Sequence, residues 1–174
     1  MRLILYRLAS AATVSSLVLA GGLLTARAGA AQEDLAVSAS VADNCTIETT
    51  PLAFGSYDPI TTHAASELAG TGSVTVTCTS GASAVIKLGE GANADGASTP
   101  AAPARRLKSG SNFLSYFLFS DTLREVVWGN TALTGVDHTG DGAPAAFTIY
   151  GAITAGQNVP SGTYTDTVVA TVAF

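Results

Sequence analysis

The sequence predicts an all-β protein built as a sandwich of packed sheets. Three observations carry this. Short runs alternate apolar and polar residues at period two. Gly, Pro, Asn and Asp clusters separate those runs, and no stretch keeps a helical period over three turns. Only 12% of the 174 residues are charged, while Thr, Val and Ser recur in short runs, a composition that favours strands. Seven or so such strands suggest a β-sandwich, with a core that one chain of this length can bury.

The elements follow in chain order. Residues 1–30 read as an export signal: Arg2 and Arg7 form a positive start and "LASAATVSSLVLAGGLL" an apolar segment. "ARAGAA" then offers small residues, with cleavage after Ala28, Ala30 or Ala31. An uncleaved membrane anchor is the alternative. Export places the mature chain in an oxidising compartment, where Cys45 and Cys78 most simply form one disulfide. Such a loop is worth roughly 3.5–4 kcal/mol in the chain-entropy picture. Two thiols are too few for a metal site, and His63 and His138 show no ligand spacing to them.

Residues 31–44 form an extension ahead of the body. Within it Leu35, Val37, Ala39 and Val41 alternate with Ala36, Ser38 and Ser40, a strand pattern about 23 Å long. Such a strand either folds back into its own domain or serves a neighbour, and alternation alone does not choose. The body is residues 45–174. "SVTVTCT" (73–79) puts Val74, Val76 and Cys78 on one face, and "AVIKL" (84–88) follows a turn. Residues 89–111, rich in Gly, Ala and Pro, read as a long surface loop in which Arg105, Arg106 and Lys108 are solvated, or else form a binding patch. "NFLSYFLFSD" (112–121) is apolar on both faces and reads as a central strand, with "EVVWG" (125–129) as a hairpin partner. "AAFTIYGAI" (145–153) is a further strand.

The closing run "TYTDTVVATVAF" (163–174) reads as one long strand. Tyr164, Val168, Ala170, Val172 and Phe174 share a face broken only by Asp166. Its edge is expected to lack a partner, and a lone edge invites a strand from another chain.

Several function classes drop out. The formal net charge is −5, and beyond residue 30 the only cations are Lys87, Arg105, Arg106, Lys108 and Arg124, so an electrostatic footprint for nucleic acid is missing. Asp137, Thr139, Asp141 and Gly142 resemble the opening of a calcium loop, but Thr148 stands where the bidentate Glu belongs, so a hairpin turn is the reading. No Gly-x-Ser-x-Gly or paired Cys and His suggests an enzyme. His63 and His138 lie in polar loop sequence, as surface residues. Asp58 and Asp166 suit turn or strand-end hydrogen bonding better than acid–base chemistry.

Cys45, then Pro51-Leu52-x-Phe54-Gly55-x-Tyr57-Asp58, Trp128-Gly129, Gly156-Gln157 and Gly162-Thr163-Tyr164-x-Asp166 occur in an order that resembles the spore coat protein U domain family, which includes archaic, Csu-type chaperone–usher pilins. The resemblance runs from about residue 35 to 174. It implies an incomplete immunoglobulin-like sandwich completed by a donor strand, with Leu35, Val37, Ala39 and Val41 as the donor residues. Tyr164, Val168, Ala170, Val172 and Phe174 would then face the acceptor groove or the core. It further implies a periplasmic chaperone, an outer-membrane usher and neighbouring subunits as partners, passage through the periplasm to a cell-surface fimbria, adhesion and biofilm formation, and no cofactor. Asn130 stands where the family often has Asp, and Thr154 where it often has Pro. A second reading is a secreted sandwich whose groove is filled by its own N-terminus, coating the cell or binding carbohydrate.

Overall fold

The structure, a computed structural model, describes residues 28–174, so the export-signal reading of residues 1–30 lies almost wholly outside the described residues. The chain divides into two compact units, one ending at Ala39 and one spanning Ser40–Phe174. Residues 28–39 carry no strand and are exposed throughout. Every described strand lies in the second unit.

Eight strands form: β1 (Cys45–Thr50), β2 (Leu68–Cys78), β3 (Ser83–Leu88), β4 (Arg105–Ser109), β5 (Asn112–Phe119), β6 (Val136–Thr139), β7 (Ala145–Ile153) and β8 (Ala170–Ala173). They make a five-stranded sheet, β1-β2-β7-β5-β4, and a three-stranded sheet, β6-β3-β8, with every pairing antiparallel. Period-two alternation decides what faces in. Val74, Val76 and Cys78 of β2, Leu114, Tyr116 and Leu118 of β5, and Ile149 and Ile153 of β7 are buried from the larger sheet. Ala84, Ile86 and Leu88 of β3 meet them from the smaller one. This is an all-β fold consistent with an incomplete immunoglobulin-like sandwich.

The registers of β2 and β7 place Gly70 opposite Gly151 on that inner face, with Gly72 beside them. A side chain at Gly151 would come within 2.8 Å of Leu52 and 2.9 Å of Phe54. The glycines therefore form a flat bed on which the segment after β1 lies, and Phe54 meets Tyr116 edge to face at 5.9 Å. This gives the Pro-Leu-x-Phe-Gly stretch a packing role.

Several expectations change. The loop expected over 89–111 contains β4, because Arg105 is not solvated. It is 1% exposed, and its guanidinium donates to the carbonyls of Gly89, Leu88 and Trp128, each at 2.8 Å. Burial pushes the Arg105 pKa down to about 10, which still leaves it cationic at neutral pH. Arg106 lies 4.1 Å over the Phe113 ring and bonds Asp95. The expected hairpin at 125–129 reduces to one bridge, Phe119 with Val127. Asp121 caps the N–H groups of Glu125 and Val126, which turns the chain so that Trp128 points into the core. The turn expected at 137–142 begins only after Thr139, since Val136–Thr139 pairs with β3.

The closing run is not one continuous strand. Thr165 pairs with Lys108 at the edge of the larger sheet, and Ala170–Ala173 pairs with β3 in the smaller one. The segment thus changes sheets on its way to Phe174, and the ladder is interrupted at the crossing. His63 also departs from the surface reading: it is 9% exposed, stacks on Tyr57 at 5.2 Å, and its Nδ1 accepts from the Asp58 N–H at 2.9 Å. His138 is half-buried, edge-on to Phe147.

Candidate functional site

The three-stranded sheet does not cover all of the five-stranded one. Where cover is missing, a groove of about 720 Å³ opens. Its floor is Leu107, Leu114 and Ile153 from β4, β5 and β7. One wall is the segment after β1, with Leu52, Phe54 and Tyr57. The other is the start of the closing run, with Val159, Tyr164 and Asp166. The floor is apolar, and the walls set apolar side chains among polar groups, so the groove offers seats for apolar side chains of an inserted segment.

The same two segments continue away from the groove as β1 and β8. Each pairs on one side only, β1 with β2 and β8 with β3, and the two approach each other without a ladder between them. Val172 packs there against the Cys45 and Cys78 cluster. Each strand therefore retains a free backbone edge. An extended chain laid between them would satisfy backbone groups and bury its alternate side chains at once.

The predicted acceptor residues separate into three groups. Tyr164 lines the groove, and its hydroxyl donates to the Pro160 carbonyl at 2.8 Å. Val168, Ala170 and Val172 are half-buried and pack on the core from the same closing segment. Phe174 is 56% exposed. The donor residues Leu35, Val37 and Val41 are 85–86% exposed, and Ala39 is exposed as well. Cys45 and Cys78 are joined by a disulfide and stand directly opposite in the β1–β2 register. Sequence reasoning missed most of the groove: Leu52, Phe54, Tyr57, Leu107, Leu114, Ile153 and Val159. The Pro-Leu-x-Phe-Gly-x-Tyr stretch was the available signal, as an apolar run too irregular to be a strand.

The groove's ends are shaped by local bonds. Gln157 uses its side-chain amide as a strand would, accepting from the Ser115 N–H at 2.7 Å and donating to the Ser115 carbonyl at 2.8 Å. Tyr57 donates to the Thr154 carbonyl at 2.8 Å and accepts from the Gln157 N–H at 2.9 Å, tying the two walls together. Thr154 therefore takes part through its backbone, and Asn130 donates its N–H to the Pro100 carbonyl at 2.7 Å in a turn.

Asp58 closes the rim beside Tyr57. The Thr61 hydroxyl and the backbone N–H groups of Ile60 and Thr61 donate to its carboxylate and hold its pKa down to about 2. A depressed carboxyl favours the folded turn above its unfolded value of 3.8, and that support is lost as pH falls through about 2. Amide-exchange protection at Ile60 and Thr61 is expected to persist at pH 4 and to fade only near pH 2. Fading centred at or above 3.8 would contradict this bonding.

Among the described residues, no group of three or more His, Cys, Asp or Glu is placed to hold a metal ion.

Comparison with known proteins fits this geometry. The chain is 44% identical over 157 residues to "Protein U" of Myxococcus xanthus, covering 86% of this chain and 88% of that one. It also superposes, with a TM-score of 0.56 and 20% identity, on a chain from the crystal structure of the CsuC–CsuE chaperone–tip adhesion subunit pre-assembly complex of archaic chaperone–usher Csu pili from Acinetobacter baumannii. That match covers 78% of this chain and 40% of the other, so it speaks to the fold. The Spore Coat Protein U domain model matches residues 31–171, and the chain accordingly belongs to that family.

Proposed function

We propose that the chain is a structural subunit of a chaperone–usher surface pilus, joined to its neighbours by donor-strand exchange. The observation that carries this reading is the groove over a floor of Leu107, Leu114 and Ile153, whose two walls run on into β1 and β8, strands that each pair on one side only. Residues 35–41 supply the complementary shape, with apolar side chains at every second position. One subunit's Leu35, Val37, Ala39 and Val41 enter the groove of the next. The closing strand, with Tyr164, Val168, Ala170 and Val172, lies beside the inserted strand, and Phe174 covers its end. A head-to-tail contact of this kind does not close, so it yields a filament.

Before assembly a periplasmic chaperone fills the groove, and an outer-membrane usher exchanges it for the next subunit. The superposition on a Csu-pilus chain supports this through the shared fold. The filament would stand at the cell surface and serve adhesion and biofilm formation.

The test removes residues 31–43 from the mature chain. The intact chain is expected to form a ladder of oligomers that withstands detergent, since each joint buries apolar side chains along a full strand. The truncated chain is expected to remain single, and a synthetic 31–43 peptide should bind it one to one. Ladders that persist without residues 31–43 would overturn the reading. An intact chain that stays monomeric, with amides 35–41 protected, would instead support a sandwich sealed by its own leader.

A further inference from the structure

Asp166 is the one polar break in the inward face of the closing run, and it lines the groove. Its surroundings are unlike those of a surface carboxylate. Tyr116, 4% exposed on β5, donates its hydroxyl to Oδ2 at 2.7 Å. Asn93 donates to Oδ1 twice, from its backbone N–H at 3.1 Å and its side chain at 3.0 Å. Gly91 has a φ of +88°, and a Cβ there would collide with the carboxylate, so the loop is shaped around it.

Asp166 also sits where the segment changes sheets. Just before it, Lys108 and Thr165 exchange two backbone bonds, of 2.9 and 3.1 Å, at the edge of the larger sheet. Just after it, Ala92 donates to the Thr167 carbonyl and Gly89 to the Val169 carbonyl, which hands the chain to β3. Without the carboxylate, the crossing point would be held mainly by these few backbone bonds.

We propose that Asp166 is a positioning residue for the groove: by anchoring the crossing point of the closing segment to Tyr116 and Asn93, it fixes where that wall stands and so how long an inserted strand is held. This rests on the donor-strand reading above. Three donors on one carboxylate make a strong and directional anchor. Burial, and then the bond to Asp166, raise the Tyr116 phenol well above its usual range, so it stays a donor at every physiological pH. Residence of a strand depends on backbone bonds and apolar contacts kept in register together, so a displaced wall acts on the off-rate.

The experiment uses residues 44–174, which hold every described strand and carry no donor segment to fill a neighbour's groove, with a labelled 31–43 peptide in the groove, and reads the peptide's dissociation rate. D166N and, as a gentler change that removes one bond, Y116F are compared with L118A, a buried β5 substitution outside the groove lining. D166N is expected to speed release about 10-fold, in keeping with weakened bonds to a charged group. Y116F should speed it several-fold, and L118A should leave it within about 2-fold even though it lowers the thermal midpoint at least as far. Release unchanged in both D166N and Y116F, or equally fast in L118A, overturns the proposal while leaving the donor-strand reading intact. An unsubstituted chain that never takes up the peptide removes both.

Discussion

Replacing Arg105 with Met is expected to cost the fold about 3–5 kcal/mol, because it strips donors from three carbonyls at once, two of them buried. The carbonyls of Leu88, Gly89 and Trp128 all receive their bonds from this one guanidinium. They belong to the end of β3, the turn after it and the turn into the core, so one side chain clips three chain segments to β4. Its charge is balanced in part by Asp166 nearby. Arg105→Lys should recover only part of the loss, since an ammonium does not reproduce the planar fork. Arg106→Met serves as the contrast: that side chain is half-exposed and bonds only residues of one loop, so about 1 kcal/mol is expected. Urea unfolding measures all three. An R105M midpoint matching that of R106M would show that water or rearranged backbone satisfies those carbonyls.

Loss of the disulfide comes next in size. A C45A/C78A double variant is expected to be about 3.5–4 kcal/mol less stable, from the 33-residue separation of the pair. The effect should be local as well as global. β1 presents only Cys45 and Ile47 as partly covered positions, while Thr46, Glu48, Thr49 and Thr50 are exposed. Its hold on the domain is thus the ladder to β2, the bond at its first residue, and little else. Once the bond is gone, β1 should fray, and one border of the groove with it. Hydrogen exchange at Ile47 to Thr50 would rise in the double variant while Val74 and Ile149 stay protected. Uniform loosening of all strands would show that the bond acts only through the unfolded chain.

Where short apolar runs lay between turn signals in the body, the sequence was a sound guide. Ala145–Ile153 forms β7 over the span that was read, and Ser83–Leu88 and Asn112–Phe119 differ from it by only a residue or two. Such runs are a local signal and need no knowledge of partners. The failures share one cause, which is that their logic is tertiary. Arg105 looks like a loop cation because its three acceptors come from residues 16 to 23 positions away. Glu125–Gly129 has strand composition, yet the Asp121 cap bends it and the core takes Trp128. In the closing run, Asp166 was visible as a break in the pattern. What the break means depends on Tyr116 and Asn93, 50 and 73 residues upstream. The groove was half legible. The closing wall follows from alternation at Tyr164, but the opposite wall lies flat only because Gly70, Gly72 and Gly151 leave room for it. That vacancy has no local periodicity to read.

Trp128 carries a practical consequence. It is the only tryptophan in the sequence, it is fully buried, and its indole N–H donates to the Ile86 carbonyl at 2.9 Å. Ile86 in turn stands beside Val172 in the register of β3 with β8. The molecule therefore contains its own optical gauge. Indole emission at short wavelength marks a dry interior, and a red shift marks water reaching the layer next to the closing strand, with no dye or tag attached.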